Sequence, residues 1–114
     1  MHRGEIWLID LGLTVGDEIK KTRPAVIIND DAIGILPLKI IVPITDWESH
    51  YSKALWMVKT TKDLSNKLAK DSAIDTFQIR SISEKRFVSK LGTVSDPIIT
   101  NISNALARVL GISI

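Results

Sequence analysis

The 114-residue sequence predicts a mainly β (α+β) fold: a small, strongly bent antiparallel sheet, partly closed into a barrel, with one amphipathic helix packed against it. Three observations lead there. Short runs of branched aliphatic residues recur between Gly, Pro, Asn and Asp, the rhythm of strands joined by turns. The hydrophobic period switches to the helical one near the C-terminus. With 45% hydrophobic and 25% charged residues, and no repeat, low-complexity tract or linker, residues 1–114 read as a single globular domain.

The first strand is expected over residues 5–11. Glu5, Trp7, Ile9 and Leu11 point one way and Ile6, Leu8 and Asp10 the other, so both faces are largely apolar and both need cover. Residues 25–29, 39–44 and 55–58 have the same near-continuous apolar character. In so short a chain one core covers one face, so the other is expected to meet a helix or a second subunit, and a homodimer is the expected assembly. A fifth strand spans residues 73–82, where Ile74, Phe77, Ile79 and Ile82 alternate loosely with Asp75, Gln78 and Arg80. Ile98, Ile99, Ile102, Ala105, Leu106, Val109 and Leu110 then recur at helical spacing. Ser95 or Asp96 suits the N-cap, Pro97 the first helical position and Gly111 the left-handed residue that closes the last turn. Residues 62–70, with Leu64 and Leu68 four apart, are expected to form a short helix, and residues 83–87 a further helical turn.

Composition excludes several classes of chemistry. The absence of cysteine rules out a disulfide framework and a thiolate zinc site, and His2 and His50 alone do not make a metal centre. No apolar stretch approaches the roughly 18 residues of a membrane span. The N-terminal apolar run is broken by Asp10 and does not read as a signal peptide, so a cytoplasmic protein is expected. No glycine spacing matches a phosphate loop, and no serine sits in a nucleophile elbow. Asp30 and Asp31 are adjacent and suit a turn after Asn29. A formal charge of +2, from 15 Lys+Arg against 13 Asp+Glu, announces no polyanion partner by itself. Any such partner has to meet a local cluster, and basic residues bunch at Lys20, Lys21 and Arg23 and at Arg80, Lys85, Arg86 and Lys90; solvated loops give the same pattern. Aromatics at strand positions are expected in the core, with Trp47 and Tyr51, in the polar loop of residues 46–53, the exceptions that can stack bases.

Two positions stand out. Pro24 biases Arg23 toward an extended conformation at the start of a strand, presenting a planar guanidinium able to make paired hydrogen bonds to a phosphate. Thr45 follows Pro43 and Ile44 at a strand end, where its hydroxyl can donate to a phosphate oxygen. A turn arginine and a strand-end threonine with no function look the same in the residues alone.

RGEIWLIDL (residues 3–11), GDEIKKTRPAVIIND (residues 16–30), IIVPIT (residues 40–45) and DSAIDTFQIRSISEKR (residues 71–86) occur in an order and spacing that resembles the MazF/PemK-like toxins of bacterial type II toxin–antitoxin systems, including Kid. The likeness covers nearly the whole chain. It implies an SH3-like β-barrel of the CcdB/Kid/MazF plasmid-maintenance toxin fold, assembled as a homodimer. It further implies a sequence-specific endoribonuclease, or mRNA interferase, acting on single-stranded RNA without a metal or other cofactor. The arginine of the family's RP motif and the threonine of its PxT motif fall on Arg23 and Thr45 and are the implied catalytic residues. The implied reaction is attack of a ribose 2′-OH on the adjacent phosphorus, leaving a 2′,3′-cyclic phosphate and a 5′-OH. Glu18, Lys20, Lys21, Trp47, Tyr51, Arg80 and Arg86 are the implied RNA-binding residues. A flexible acidic-apolar segment of a cognate antitoxin is the implied protein partner.

The sequence also departs from Kid-like members. Asp17 stands where they have a histidine, Phe77 occupies the place of the acid that precedes the QxRxI glutamine, and Asp75 replaces an arginine. Asp75, two residues from the missing acid, and Gln78 are auxiliary catalytic candidates. The alternative readings are a toxin of the same fold that binds a protein target such as DNA gyrase, as CcdB does, and a degenerate homologue that keeps only antitoxin binding.

Overall fold

The computed structural model describes residues 1–19, 21–33 and 36–113. Seven strands and one helix follow in chain order: β1 (Glu5–Asp10), β2 (Thr22–Ile27), β3 (Leu38–Asp46), β4 (Met57–Thr60), β5 (Ser72–Asp75), β6 (Arg80–Ser83), β7 (Phe87–Thr93) and α1 (Asp96–Val109). All pairings are antiparallel, in the order β4-β5-β3-β2-β1-β7, with β6 also on β3. The ladder therefore ends at β4 and β7 and stays open, a bent sheet rather than a closed barrel.

β3 is the spine. One edge pairs with β2, while the other is shared, Leu38–Ile41 lying against β6 and Ile44–Asp46 against β5. β5 and β6 are thus one outer strand interrupted by the 3₁₀ turn Thr76–Gln78. Ile44 pairs with Ile74 and Ile41 with Arg80, which leaves three extra residues on the outer strand, the length of that turn. The single strand expected over residues 73–82 is corrected accordingly. Asp75 accepts a hydrogen bond from the Phe77 N–H at 3.1 Å, and the Thr76 hydroxyl donates to the Trp56 carbonyl at 2.6 Å, so side chains outcompete the ladder there.

Both sheet faces carry a core. Ile6, Val26, Val42, Ile44 and Ile74 face α1 and pack with Ile102 and Ala105. Ile9, Leu11, Ala25, Ile27, Ile41 and Ile82 form a second cluster on the opposite face, joined by Trp7, Ile19 and Phe87. The period-two alternation read for residues 5–11 is present, and the bend of the sheet covers much of both faces within one chain. Trp7 and Phe87 meet edge to face at 5.7 Å, as core aromatics should. Trp56 and Phe77 do not conform: they are 42% and 66% exposed and touch each other at the surface, because β4 is an edge strand and Phe77 lies on the inserted turn.

α1 follows its punctuation. Pro97 occupies the first turn, and Ser95 is the N-cap by position although its side chain makes no capping bond. Gly111 has φ +68°, and the N–H groups of Gly111 and Ile112 return to the carbonyls of Arg108 and Ala107 at 3.2 and 2.7 Å, closing the helix in a Schellman arrangement. The expected turn at residues 83–87 is the 3₁₀ segment Glu84–Arg86, capped by Ser83. The helix expected over residues 62–70 does not form. Asp63 and Asn66 take the backbone N–H groups of Ser65, Asn66, Asp63 and Leu68 instead, and the loop docks so closely on β7 that a Cβ at Gly92 would lie 2.5 Å from the Ser65 carbonyl oxygen. β7 itself carries no strand pattern in the sequence, because it is an exposed edge with no clean alternation.

Glu5 ties β1 to β7. Its carboxylate accepts from the Trp7 indole at 2.9 Å and lies 3.3 Å from the Lys90 ammonium. Burial works against the charge, but these partners and the His2 backbone N–H outweigh it and hold the Glu5 pKa below the usual carboxylate value. The stabilisation is present above the unfolded pKa and is lost as pH falls through the depressed folded value. Glu5→Gln is therefore expected to melt below the parent at neutral pH, with the gap closing as pH falls below the ordinary carboxylate value and through the depressed folded one. Thermal melts across that range check it; a gap independent of pH contradicts the assignment.

Candidate active site

Arg23 enters β2 opposite Ile9, followed by Pro24 opposite Leu8. The β2–β3 ladder pairs Ala25 with Pro43; carried two residues further, that register sets Arg23 opposite Thr45 on the same face. Both residues line one cavity of about 130 Å³ at the end of the sheet. Arg23 is exposed and Thr45 half-buried. Asp46 on the same rim is engaged by Lys70 at 3.0 Å, and among the described residues no carboxylate lies within ion-pair range of Arg23. The cavity thus offers a guanidinium and a hydroxyl to an incoming phosphate, with a second cation beside them.

A larger cavity, of about 590 Å³, lies between residues 17–19 on one side and Phe77, Gln78 and Arg80 on the other, with Leu11 and Pro43 also lining it. β3 connects the two cavities, because Pro43 and Thr45 are alternate residues of one strand. Glu18, Gln78 and Arg80 therefore share one chamber and Arg23 and Thr45 its neighbour. The Arg80 guanidinium also donates to the Leu11 carbonyl at 3.5 Å, and Arg86 to the Asp10 carbonyl at 3.4 Å, so both brace the end of β1. Lys21 holds φ 71° and closes the base of the β1–β2 loop by pairing with Gly12 and Leu11. Lys20 lies outside the described residues.

Asp75 lines neither chamber. It is 5% exposed, with one carboxylate oxygen on the Phe77 N–H and the other 3.1 Å from the Gln78 side-chain amide. Burial pushes its pKa up, and those hydrogen bonds offset part of the shift. Trp47 and Tyr51 stack edge to face at 5.9 Å, His50 lies 4.5 Å from Tyr51, and the Lys59 ammonium sits 5.1 Å over Trp47. Burial and the charges of Glu48 and Asp75 raise the Tyr51 pKa. Among the described residues no three His, Asp or Glu side chains converge as metal ligands. Sequence reasoning missed Lys70, which reaches the Arg23 cavity from a loop carrying no motif.

A family model described as the PemK-like, MazF-like toxin of type II toxin–antitoxin systems matches residues 2–110. The chain belongs to this toxin family. The toxin is 36% identical over 114 residues to Endoribonuclease MazF of Staphylococcus epidermidis, covering 99% of this chain and 93% of that protein. In fold it is similar to MazF of Deinococcus radiodurans, with a TM-score of 0.79 at 18% identity over 97% of this chain and 96% of that one. It also matches a mycobacterial endoribonuclease in complex with its cognate antitoxin, with a TM-score of 0.78 at 19% identity over 100% and 98% of the two chains. The open sheet with one terminal helix is thus the toxin fold that the sequence resemblance implied.

Proposed function

We propose that this toxin is an endoribonuclease that cuts single-stranded RNA at specific sites without a metal ion, and that a cognate antitoxin neutralises it. The observation that carries the reading is the cavity that Arg23 and Thr45 line together, in a family with a relative named as an endoribonuclease. The ribose 2′-OH attacks the adjacent phosphorus, the bond from phosphorus to the 5′ oxygen breaks, and the products are a 2′,3′-cyclic phosphate and a 5′-OH. Negative charge builds on the nonbridging oxygens, where the Arg23 guanidinium and Thr45 hydroxyl donate. An arginine is a poor proton acceptor, so its part is electrostatic. DNA, lacking the attacking hydroxyl, is not a substrate.

In this reading residues 1–114 act as one domain in the cytoplasm, as a homodimer, with Glu18, Lys20, Lys21, Trp47, Tyr51, Arg80 and Arg86 along the RNA path. The test is incubation of a long single-stranded RNA with the protein in EDTA, beside Arg23→Ala and Thr45→Ala, with fragment ends mapped. Discrete cuts bearing 5′-OH ends, lost in both variants, are expected. Intact RNA with a folded, dimeric parent would overturn the reading.

A further inference from the structure

The 3₁₀ turn inserted between β5 and β6 carries Gln78 across to the β1–β2 loop, where its Oε1 accepts from the Ile19 N–H at 2.6 Å and its Nε2 donates to the Asp17 carbonyl at 3.3 Å. The same Nε2 donates to Asp75 at 3.1 Å. This sense of the amide is chemically forced: reversed, the oxygen would face two acceptors and the nitrogen a donor. Asp75 can impose it because an ionised carboxylate only accepts, and its other oxygen is already held by the Phe77 N–H.

Beside the packing of Ile19 on the second core cluster, the polar anchoring of the loop rests on this contact. Its base is closed by hydrogen bonds between Leu11, Gly12 and Lys21, and its tip by those among Thr14, Val15 and Glu18. Among the described residues, the hydrogen bonds tying residues 13–19 to the rest of the fold are those of Gln78. Residues 17–19 in turn form one wall of the 590 Å³ chamber, which is of a size to take a nucleobase and adjoins the Arg23–Thr45 cavity.

We propose that Asp75 and Gln78 form a positioning clamp: the carboxylate sets the sense of the amide, the amide sets residues 17–19, and that wall selects the RNA base accepted beside the cut. The proposal rests on the ribonuclease reading and replaces an auxiliary catalytic part for Asp75 with a positioning one.

A swap of the two groups tests it. In Asp75→Asn one amide oxygen is left for two donors, the Phe77 N–H and Gln78 Nε2, so the new nitrogen meets one of them donor against donor and the clamp loses its fixed sense. In Gln78→Glu two carboxylates face each other. In the double variant the amide introduced at position 75 donates to the carboxylate introduced at position 78, whose other oxygen still accepts from the Ile19 N–H; the bond to Asp17 is lost and its carbonyl meets a carboxylate oxygen, so recovery is partial. Two readouts are taken on the full chain: hydrogen exchange at the Ile19 amide, which needs no catalysis, and the ratio of kcat/KM at preferred and disfavoured RNA sites. Each single variant is expected to lose about tenfold in Ile19 protection and about tenfold in that ratio, the scale of one net hydrogen bond, with the double variant recovering part of both. Exchange and preference that ignore the swap, in a parent that cuts RNA, overturn the clamp alone. A double variant that regains protection but stays slow at every site overturns it in favour of Asp75 as a group in the chemistry. Exchange that follows the swap in a parent that cuts no RNA overturns the ribonuclease reading and the base-selection step together.

Discussion

Arg23→Ala is expected to lower the rate of RNA cleavage by on the order of 10²–10³ while leaving the melting temperature close to that of the parent. The asymmetry follows from where the side chain sits. Arg23 is exposed at the start of β2, and its backbone pairing with Ile9 does not use the guanidinium. In the proposed mechanism its loss removes charge-assisted donors to the oxygens that gain charge in the transition state, where they act more strongly than on the ground-state phosphate. Arg23→Lys keeps the charge but not the planar fork, so it is expected to recover only part of the activity. Single-turnover cleavage with saturating protein separates this from weakened binding. A loss confined to KM, with the saturated rate unchanged, would make Arg23 an RNA-docking residue instead.

Asn66→Ala is expected to be the most destabilising of the substitutions considered, by on the order of 3 kcal/mol. Asn66 is 1% exposed, and its side chain serves three backbone groups: it accepts from the N–H groups of Asp63 and Leu68, each at 3.0 Å, and donates to the Thr61 carbonyl at 2.9 Å. Alanine strands all three, at about 1–3 kcal/mol for each group that stays dry. Against a typical total stability of about 5–15 kcal/mol that is a large fraction. Urea unfolding reads it as a shifted midpoint at constant slope. The consequence reaches the candidate active site, because the same loop carries Leu68 and Lys70 to the cavity shared by Arg23 and Thr45. A midpoint shift below about 1 kcal/mol would mean that water replaces the side chain in that loop.

Elements differed in how legible they were in the sequence, for identifiable reasons. α1 was legible because period, Pro97 and Gly111 agreed, and agreement among independent local signals is what specifies an element. β1 to β3 were legible because burial on both faces makes them short, near-continuous apolar runs between turn residues. The supposed helix at residues 62–70 failed because Leu64 and Leu68 suggested a period while Asp63 and Asn66 held the backbone in competing hydrogen bonds. The break in residues 73–82 was invisible because Asp75, Thr76 and Gln78 are compatible with a strand until their partners, Trp56 and residues 17–19, come alongside.

By itself the sequence determined the fold class, the terminal helix and its ends, the absence of cysteine and, through the motifs of the resemblance, the family, and it named Arg23 and Thr45 as candidates. These are properties of local periodicity and of motifs whose residues lie close together in the chain. Only the tertiary structure decided that the sheet stays open at β4 and β7, that Arg23 and Thr45 share a cavity, that Lys70 joins them, and that Asp75 faces Gln78 rather than the cavity. The physical reason is reach. A strand's pattern says which face a residue lies on, but which residue it meets across the sheet depends on register, on inserted turns and on loops docked from distant parts of the chain, and those are settled only when all the elements pack at once.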